Sequence, residues 1–177
     1  IMKVSTEINI PPGPGNRYYV IKKGDYDTFL AKFKRLRKYG PVIMQEYIKG
    51  VGIGASFAFS KTHDIIAFFG HKRLLERFPE GGPSVIAETY FHPEAIRQGI
   101  RLLKTLKWQG AAMIEFKLGH DNILYFMELN PRFWGTLPLA IASGIDFPKL
   151  LVKYYNTPPK KKDLDLKIRK RVFLSLE

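Results

Sequence analysis

The chain has 177 residues, 45% of them hydrophobic and 14% aromatic, enough for one sizeable core or two small subdomains. No apolar run has the length that crosses a bilayer, so no membrane partner is expected. The absence of cysteine excludes disulfides, thiolate catalysis and thiolate zinc sites, and fits a cytoplasmic protein. The 29 Lys+Arg against 16 Asp+Glu leave a net charge of +13, which points to anionic partners: nucleic acid, a nucleotide or a phosphorylated substrate. Much of the excess lies in Lys32, Lys34, Arg35, Arg37 and Lys38, and in Lys160–Lys162 with Lys167, Arg169, Lys170 and Arg171. A solvated helix face and a solvated tail explain both clusters. No recognisable nucleic-acid motif accompanies them, so nucleic acid is the lesser expectation.

In chain order, Ile1–Ser5 reads as a strand, followed by the loop Pro11-Pro-Gly-Pro-Gly15 and a second strand, Arg17–Lys22. The abrupt start in a strand, without an initiating Met, leads us to expect an N-terminal part of a larger protein before it. Asp27 is placed to cap a helix with Phe29, Leu30, Phe33 and Leu36 at the 3–4 spacing of an amphipathic face, ended by Gly40-Pro41. Val42–Tyr47 is a short strand, and Gly50-Val-Gly-Ile-Gly54 reads as a break between subdomains. Ala55–Phe59 and Ile65–Phe69 form a hairpin around Lys61–Asp64. His71–Arg77 is basic, Phe78–Ser84 a Gly/Pro loop, and Val85–Tyr90 a further strand. Pro93 opens a helix with Ile96, Ile100 and Leu103 on one side, ending near Trp108-Gln-Gly110. After an acidic hairpin, Leu137-Pro138 starts a short helix closed by Gly144, and Asp146 with Pro148 starts another that ends before Thr157-Pro-Pro159. Arg171–Glu177 looks like a strand. Antiparallel hairpins with helices make the class α+β, in two parts, 1–44 and 45–177.

The acidic hairpin carries the most chemistry. Ala111–Lys117 and Ile123–Leu129 are apolar runs joined by the turn signal Gly119-His-Asp-Asn122. Residues two apart in a strand share a face, so Glu128, Asn130 and Arg132 are delivered to one side, where Pro131 stops the pairing. If Glu115 lies opposite Glu128, with Lys117 facing Phe126, the two glutamates sit about 5 Å apart at Cβ. Like charges so placed repel unless a cation lies between them. Carboxylate and asparagine oxygens are what Mg²⁺ takes, with waters and substrate phosphates completing its shell. The plain alternative is a half-buried strand whose acids face solvent. For Glu115, Glu128, Asn130 and Arg132 together, a metal–phosphate site is the stronger reading.

Other candidates are less specific. Lys3, just before the Pro/Gly loop, suits a phosphate as a point charge, yet strand lysines are usually plain surface. Gln45-Glu-Tyr-Ile-Lys-Gly50 joins the two parts, and its extended backbone offers a carbonyl and an N–H to an adenine edge walled by Ile43, Tyr47 and Ile48. A linker strand with core aromatics explains it equally well. His71-Lys-Arg73 with Gly81-Gly-Pro-Ser84 suits an anionic substrate or γ-phosphate, or is a solvated basic turn. His71 shows no metal-ligand spacing to His63, His92 or His120, and no zinc or base role is assigned to it.

Taken in order, Met2-Lys3, Gln45–Gly50, His71-Lys-Arg-Leu74 with Gly81–Ser84, Ile114-Glu-Phe-Lys117, Glu128-Leu-Asn-Pro-Arg-Phe-Trp-Gly135 and Asp146-Phe-Pro148 resemble the ATP-grasp superfamily. The nearest likeness is to its carboxylate–amine ligase and carbamoyl-phosphate-synthase-like members, over about the C-terminal two-thirds of the module. The resemblance implies ATP between two α+β subdomains, with Mg²⁺ or Mn²⁺ on Glu115, Glu128 and Asn130. Lys3 would meet an α/β-phosphate. Gln45, Glu46, Tyr47 and Ile48 would bind adenine, Gln45 and Ile48 largely through backbone. Arg132 would neutralise the transferring phosphate or the acyl phosphate, and Lys72 or Arg73, with Ser84, would face phosphate or substrate. The implied reaction phosphorylates a carboxylate at the expense of ATP, after which an amine attacks the acyl phosphate.

Three departures stand out. Val4 replaces the proline many relatives carry after the lysine, Gly52 stands near where many have a ribose-binding acid, and the strand bearing a second phosphate-binding lysine is missing. The piece alone is therefore expected to bind nucleotide poorly. The rival readings are a non-catalytic nucleotide-binding module and a basic nucleic-acid-binding domain. A homo-oligomer is compatible with the sequence.

Overall fold

The computed structural model describes residues 1–4, 18–78, 81–160 and 173–175. The chain divides into two compact units, Ile1–Ile48 and Lys49–Glu177, which places Gln45 to Ile48 in the first. The Pro11–Gly15 loop and the basic tail from Lys161 to Arg171 lie outside the described residues.

In the first unit, strands β1 (Met2–Val4), β2 (Tyr18–Tyr19) and β3 (Val42–Met44) form an antiparallel sheet in the order β2-β1-β3. Helix α1 (Tyr26–Arg37) packs on it, burying Leu36 with Met2 and half-burying Phe29 and Phe33. The expected strands Arg17–Lys22 and Val42–Tyr47 shorten to their middle and first residues. The helix cap is Asp25 rather than Asp27: its carboxylate accepts from the Thr28 amide at 3.2 Å, the bond an N-cap supplies. Asp27 sits inside the first turn.

The second unit is a six-stranded antiparallel sheet in the order β8-β7-β4-β5-β6-β9. Its strands are β4 (Gly50–Phe59), β5 (Ile65–Phe78), β6 (Gly81–Thr89), β7 (Gly110–Gly119), β8 (Leu124–Asn130) and β9 (Phe173–Ser175). Alternation along β4 sends Ile53, Ala55, Phe57 and Phe59 to one face, where helix α2 (Pro93–Thr105) covers them with Ala95, Ile96 and Leu103. The other face is split along its length. Ala58, Ala67, Phe69 and Met113 lie under helices α3 (Leu137–Ala142) and α4 (Phe147–Tyr154), with Trp134 packed edge-on against Phe147. The other half of that face carries polar and charged side chains. Asp146 caps α4 through the Lys149 amide, and Gly144 follows α3 in the left-handed conformation, as expected for a helix stop. Among the described residues, no helix is long and apolar enough to cross a membrane.

Two glycine-rich stretches expected as loops are strands. Gly50–Gly54 opens β4, and its glycines answer to neighbours rather than to a turn: a Cβ on Gly50 would stand 2.0 Å from the Leu118 carbonyl oxygen. Gly81–Ser84 belongs to β6, with Ser84 opposite Glu76, and the strand expected to end at Phe69 runs on to Phe78 to pair with it.

Candidate functional site

The β7–β8 hairpin sets Glu115 opposite Glu128 and Met113 opposite Asn130. The expected pairing of Lys117 with Phe126 is corrected: Lys117 faces Tyr125 and Phe116 faces Phe126, because the register shifts by one residue at Met127. Such a bulge bends the strand locally and re-aims the side chains that follow. Along the outer arm the side chains are chained by hydrogen bonds. The Asn130 amide donates to Glu128 Oε1 at 2.9 Å, and Arg132 donates to Asn130 Oδ1 at 3.4 Å and to the Phe133 carbonyl at 3.0 Å. Carboxylate, carboxamide and guanidinium therefore do share one side.

Behind them the row continues across the sheet. Glu115 pairs in register with Gly54, and Gly54 with His71; Lys117 pairs with Gly52. Both glycines lie under side chains from β5. A Cβ on Gly54 would fall 2.0 Å from the His71 ring, and one on Gly52 would fall 2.7 Å from Arg73 Cδ. The bare backbone of β4 thus lets Arg73 cross one strand and meet Glu115 at 2.5 Å. Its other terminal nitrogen lies 3.6 Å from Glu76, whose second oxygen lies 4.0 Å from Lys117. These four side chains are only 15–18% exposed, so their charges interact with little screening by solvent. Burial, and then the neighbouring Glu128, hold the Glu115 carboxyl above its usual range despite Arg73.

His71 is buried on the same row. Desolvation, with the Arg73 charge adding to it, pulls its imidazole from about 6.5 down to about 3, so the ring is neutral. Its Nε2 lies 3.4 Å from the Thr136 hydroxyl, and its Nδ1 has no hydrogen-bond partner among the described residues. His71 thereby links β5 to the segment that follows Arg132.

The remaining expected residues separate. Lys72 is adjacent to Arg73 in an extended strand and so points to the opposite face, in register with Ile53 of the α2 core. There it pairs with Glu88 at 3.9 Å and lies over the Tyr90 ring. This corrects the expectation that either of the two basic residues would serve the same site. Ser84 is buried and its hydroxyl donates to the Ile86 carbonyl of its own strand. Gln45 engages both backbone groups with Ile1: its N–H donates to the Ile1 carbonyl at 2.8 Å and its carbonyl accepts from the Ile1 nitrogen at 2.6 Å. A backbone contact from Gln45 to a ligand would therefore compete with Ile1. Glu46 is exposed, Tyr47 and Ile48 half-buried, and Lys3 sits on the central strand of the first unit.

Glu76 and Lys117 were missed as site residues, and His71 was set aside. A strand reading of 71–77 would have put His71 and Arg73 on one face two residues apart. Among the described residues, no three His, Asp or Glu side chains stand close enough to hold a metal ion. A cation on the two glutamates would thus need Asn130 or non-protein oxygens to complete its shell.

The family model described as "ATP-grasp in the biosynthetic pathway with Ter operon" matches residues 63–172. No curated protein matches the chain in sequence. Among solved structures, the biotin carboxylase–β,γ-ATP complex of Campylobacter jejuni is similar at TM-score 0.62 and 17% identity, over 77% of this chain and 33% of that one. The biotin carboxylase domain dimer of Hydrogenobacter thermophilus 2-oxoglutarate carboxylase, with MgADP, ADP and bicarbonate, matches at 0.63 and 16%, over 80% and 33%. The ATPase subunit of Aquifex aeolicus phosphoribosylaminoimidazole carboxylase matches at 0.52 and 21%, over 62% and 34%. The chain spans about a third of the length of these structures, and at such identities they speak to the fold alone. That fold, antiparallel sheets with helices packed against them, is theirs. With the family model spanning most of its length, the chain belongs to the ATP-grasp family.

Proposed function

We propose that this chain is the nucleotide- and metal-binding portion of an ATP-grasp ligase that activates a carboxylate as an acyl phosphate for attack by an amine. The observation that carries the reading is the hydrogen-bonded row Glu128–Asn130–Arg132 with Glu115 directly across the hairpin. Two opposed carboxylates and a carboxamide form a hard oxygen donor set of the kind Mg²⁺ or Mn²⁺ takes, with phosphate oxygens completing the shell. A divalent cation held there would neutralise charge on the phosphates of ATP. Arg132, exposed at the end of the row, would meet the transferring phosphoryl group or the acyl phosphate.

The chemistry so arranged is mostly positioning and charge neutralisation. The γ-phosphoryl group passes from ATP to a carboxylate oxygen, releasing ADP. The amine then forms the C–N bond at the carbonyl carbon as the C–O bond to phosphate breaks. Arg73, on the same face, is the β5 residue suited to an anionic substrate; Lys72 is not. Glu46, Tyr47, Ile48 and Lys3 retain the adenine and phosphate roles that the family resemblance implies, the backbone role implied for Gln45 would compete with its hydrogen bonds to Ile1, and Ser84 serves the strand.

The test is ADP release by the intact enzyme with Mg²⁺ and a panel of carboxylates, bicarbonate included, with and without amines. ADP release that requires a carboxylate and rises with an amine supports the ligase. Tight ATP binding without ADP release under every condition supports a non-catalytic nucleotide-binding module instead.

A further inference from the structure

Resting on the reading of Glu115 and Glu128 as metal ligands, we infer that Arg73 is a built-in cation that occupies Glu115 until a divalent metal displaces it, and that Glu76 is the positioning residue that receives the guanidinium. Arg73 already stands between two carboxylates, with one terminal nitrogen at 2.5 Å from Glu115 Oε1 and the other at 3.6 Å from Glu76 Oε1. A metal on Glu115 and a guanidinium on the same carboxylate repel each other at close range in a site so little exposed. Moving the guanidinium toward Glu76 relieves that repulsion without leaving the arginine unpaired.

The surroundings suit such an exchange. Gly52 leaves open the space beside both groups: a Cβ there would stand 2.7 Å from Arg73 Cδ and 3.1 Å from Glu76 Oε1. Lys117 holds the second oxygen of Glu76 at 4.0 Å, keeping that carboxylate turned toward the site. Among Glu76, Glu115, Glu128, Arg73 and Lys117 the formal charge sums to −1, so a divalent cation arrives at a site that is negative yet not strongly so. The consequence is order: the arginine becomes available to an anionic substrate only once the metal is in place.

The exchange is read by titrating the chain with Mn²⁺, following free Mn²⁺ by electron paramagnetic resonance, and by following the Arg73 Nε–H resonance on adding Mg²⁺. Arg73→Gln is expected to bind Mn²⁺ about tenfold more tightly than the wild type. Mg²⁺ is expected to shift the wild-type Arg73 resonance, and Glu76→Gln to abolish that shift and weaken Mn²⁺ binding. If Arg73→Gln fails to fold, the resonance in the wild type and in Glu76→Gln decides. An unmoved Arg73 resonance, or unchanged Mn²⁺ affinity in folded Arg73→Gln, overturns the exchange, and the metal reading stands if Glu128→Gln still loses Mn²⁺. If neither wild type nor Arg73→Gln binds Mn²⁺, the metal reading falls and the exchange with it.

Discussion

The Arg73 guanidinium reaches Glu115 by passing over Gly52, and the crossing is possible because that position has no side chain. Two residues along the same pair of strands, His71 lies on Gly54 in the same way. The glycines of β4 are thus a bare track across which β5 delivers two side chains toward the acidic hairpin.

Gly54→Ala tests this packing. A methyl group 2.0 Å from the imidazole of a fully buried His71 has to displace it. The substitution is expected to cost ~2 kcal/mol of stability, as overpacking does, measured by urea unfolding. A variant as stable as the wild type would show that the ring moves freely.

The neutral state of His71 gives the fold a defined pH response. Its folded value, about 3, lies below the 6.5 of an exposed imidazole. The unfolded chain therefore binds a proton that the folded chain does not between those values, and stability falls as pH falls through that window. Relative to His71→Gln, the wild type is expected to lose ~1.4 kcal/mol per pH unit between pH 6.5 and 4. Parallel stability curves for the two proteins would contradict this.

Capping separates two aspartates that look alike in sequence. Asp25→Ala removes the acceptor for the Thr28 amide and is expected to cost ~1 kcal/mol in hydrogen-exchange protection of the first turn of α1. Asp27→Ala, which loses only an interaction with the helix dipole, is expected to cost ~0.3 kcal/mol.

Much of the site was legible because it rests on local rules. Alternation put Glu128 and Asn130 on one face, whereas the register running from the Gly119–Asn122 turn would set Glu115 opposite Met127, and it is the bulge that brings Glu128 there. The bulge at Met127 was not legible, since an inserted residue leaves no mark in a two-residue period. Gly50–Gly54 misled for a related reason: glycine signals a turn and a close approach in the same way, and only the distant partners Leu118, His71 and Arg73 decide between them. The basic run after Phe69 hid a strand, and with it the rule that sends Lys72 and Arg73 to opposite faces.

Glu128→Gln and Arg132→Ala address chemistry without disturbing the core, because both side chains are exposed. Each is expected to leave stability within ~0.5 kcal/mol of the wild type. In the intact enzyme Glu128→Gln is expected to abolish ATP turnover, and Arg132→Ala to lower it ~10²–10³-fold. Normal turnover in the Glu128 variant would refute its assignment.

The most direct test of the metal site proposed on the hairpin is anomalous diffraction from crystals of the intact protein grown with Mn²⁺ and a non-hydrolysable ATP analogue. A manganese peak bonded to Glu115 and Glu128 is expected, with Asn130 alongside and phosphate oxygens opposite. A bound analogue whose manganese lies away from both glutamates would contradict it.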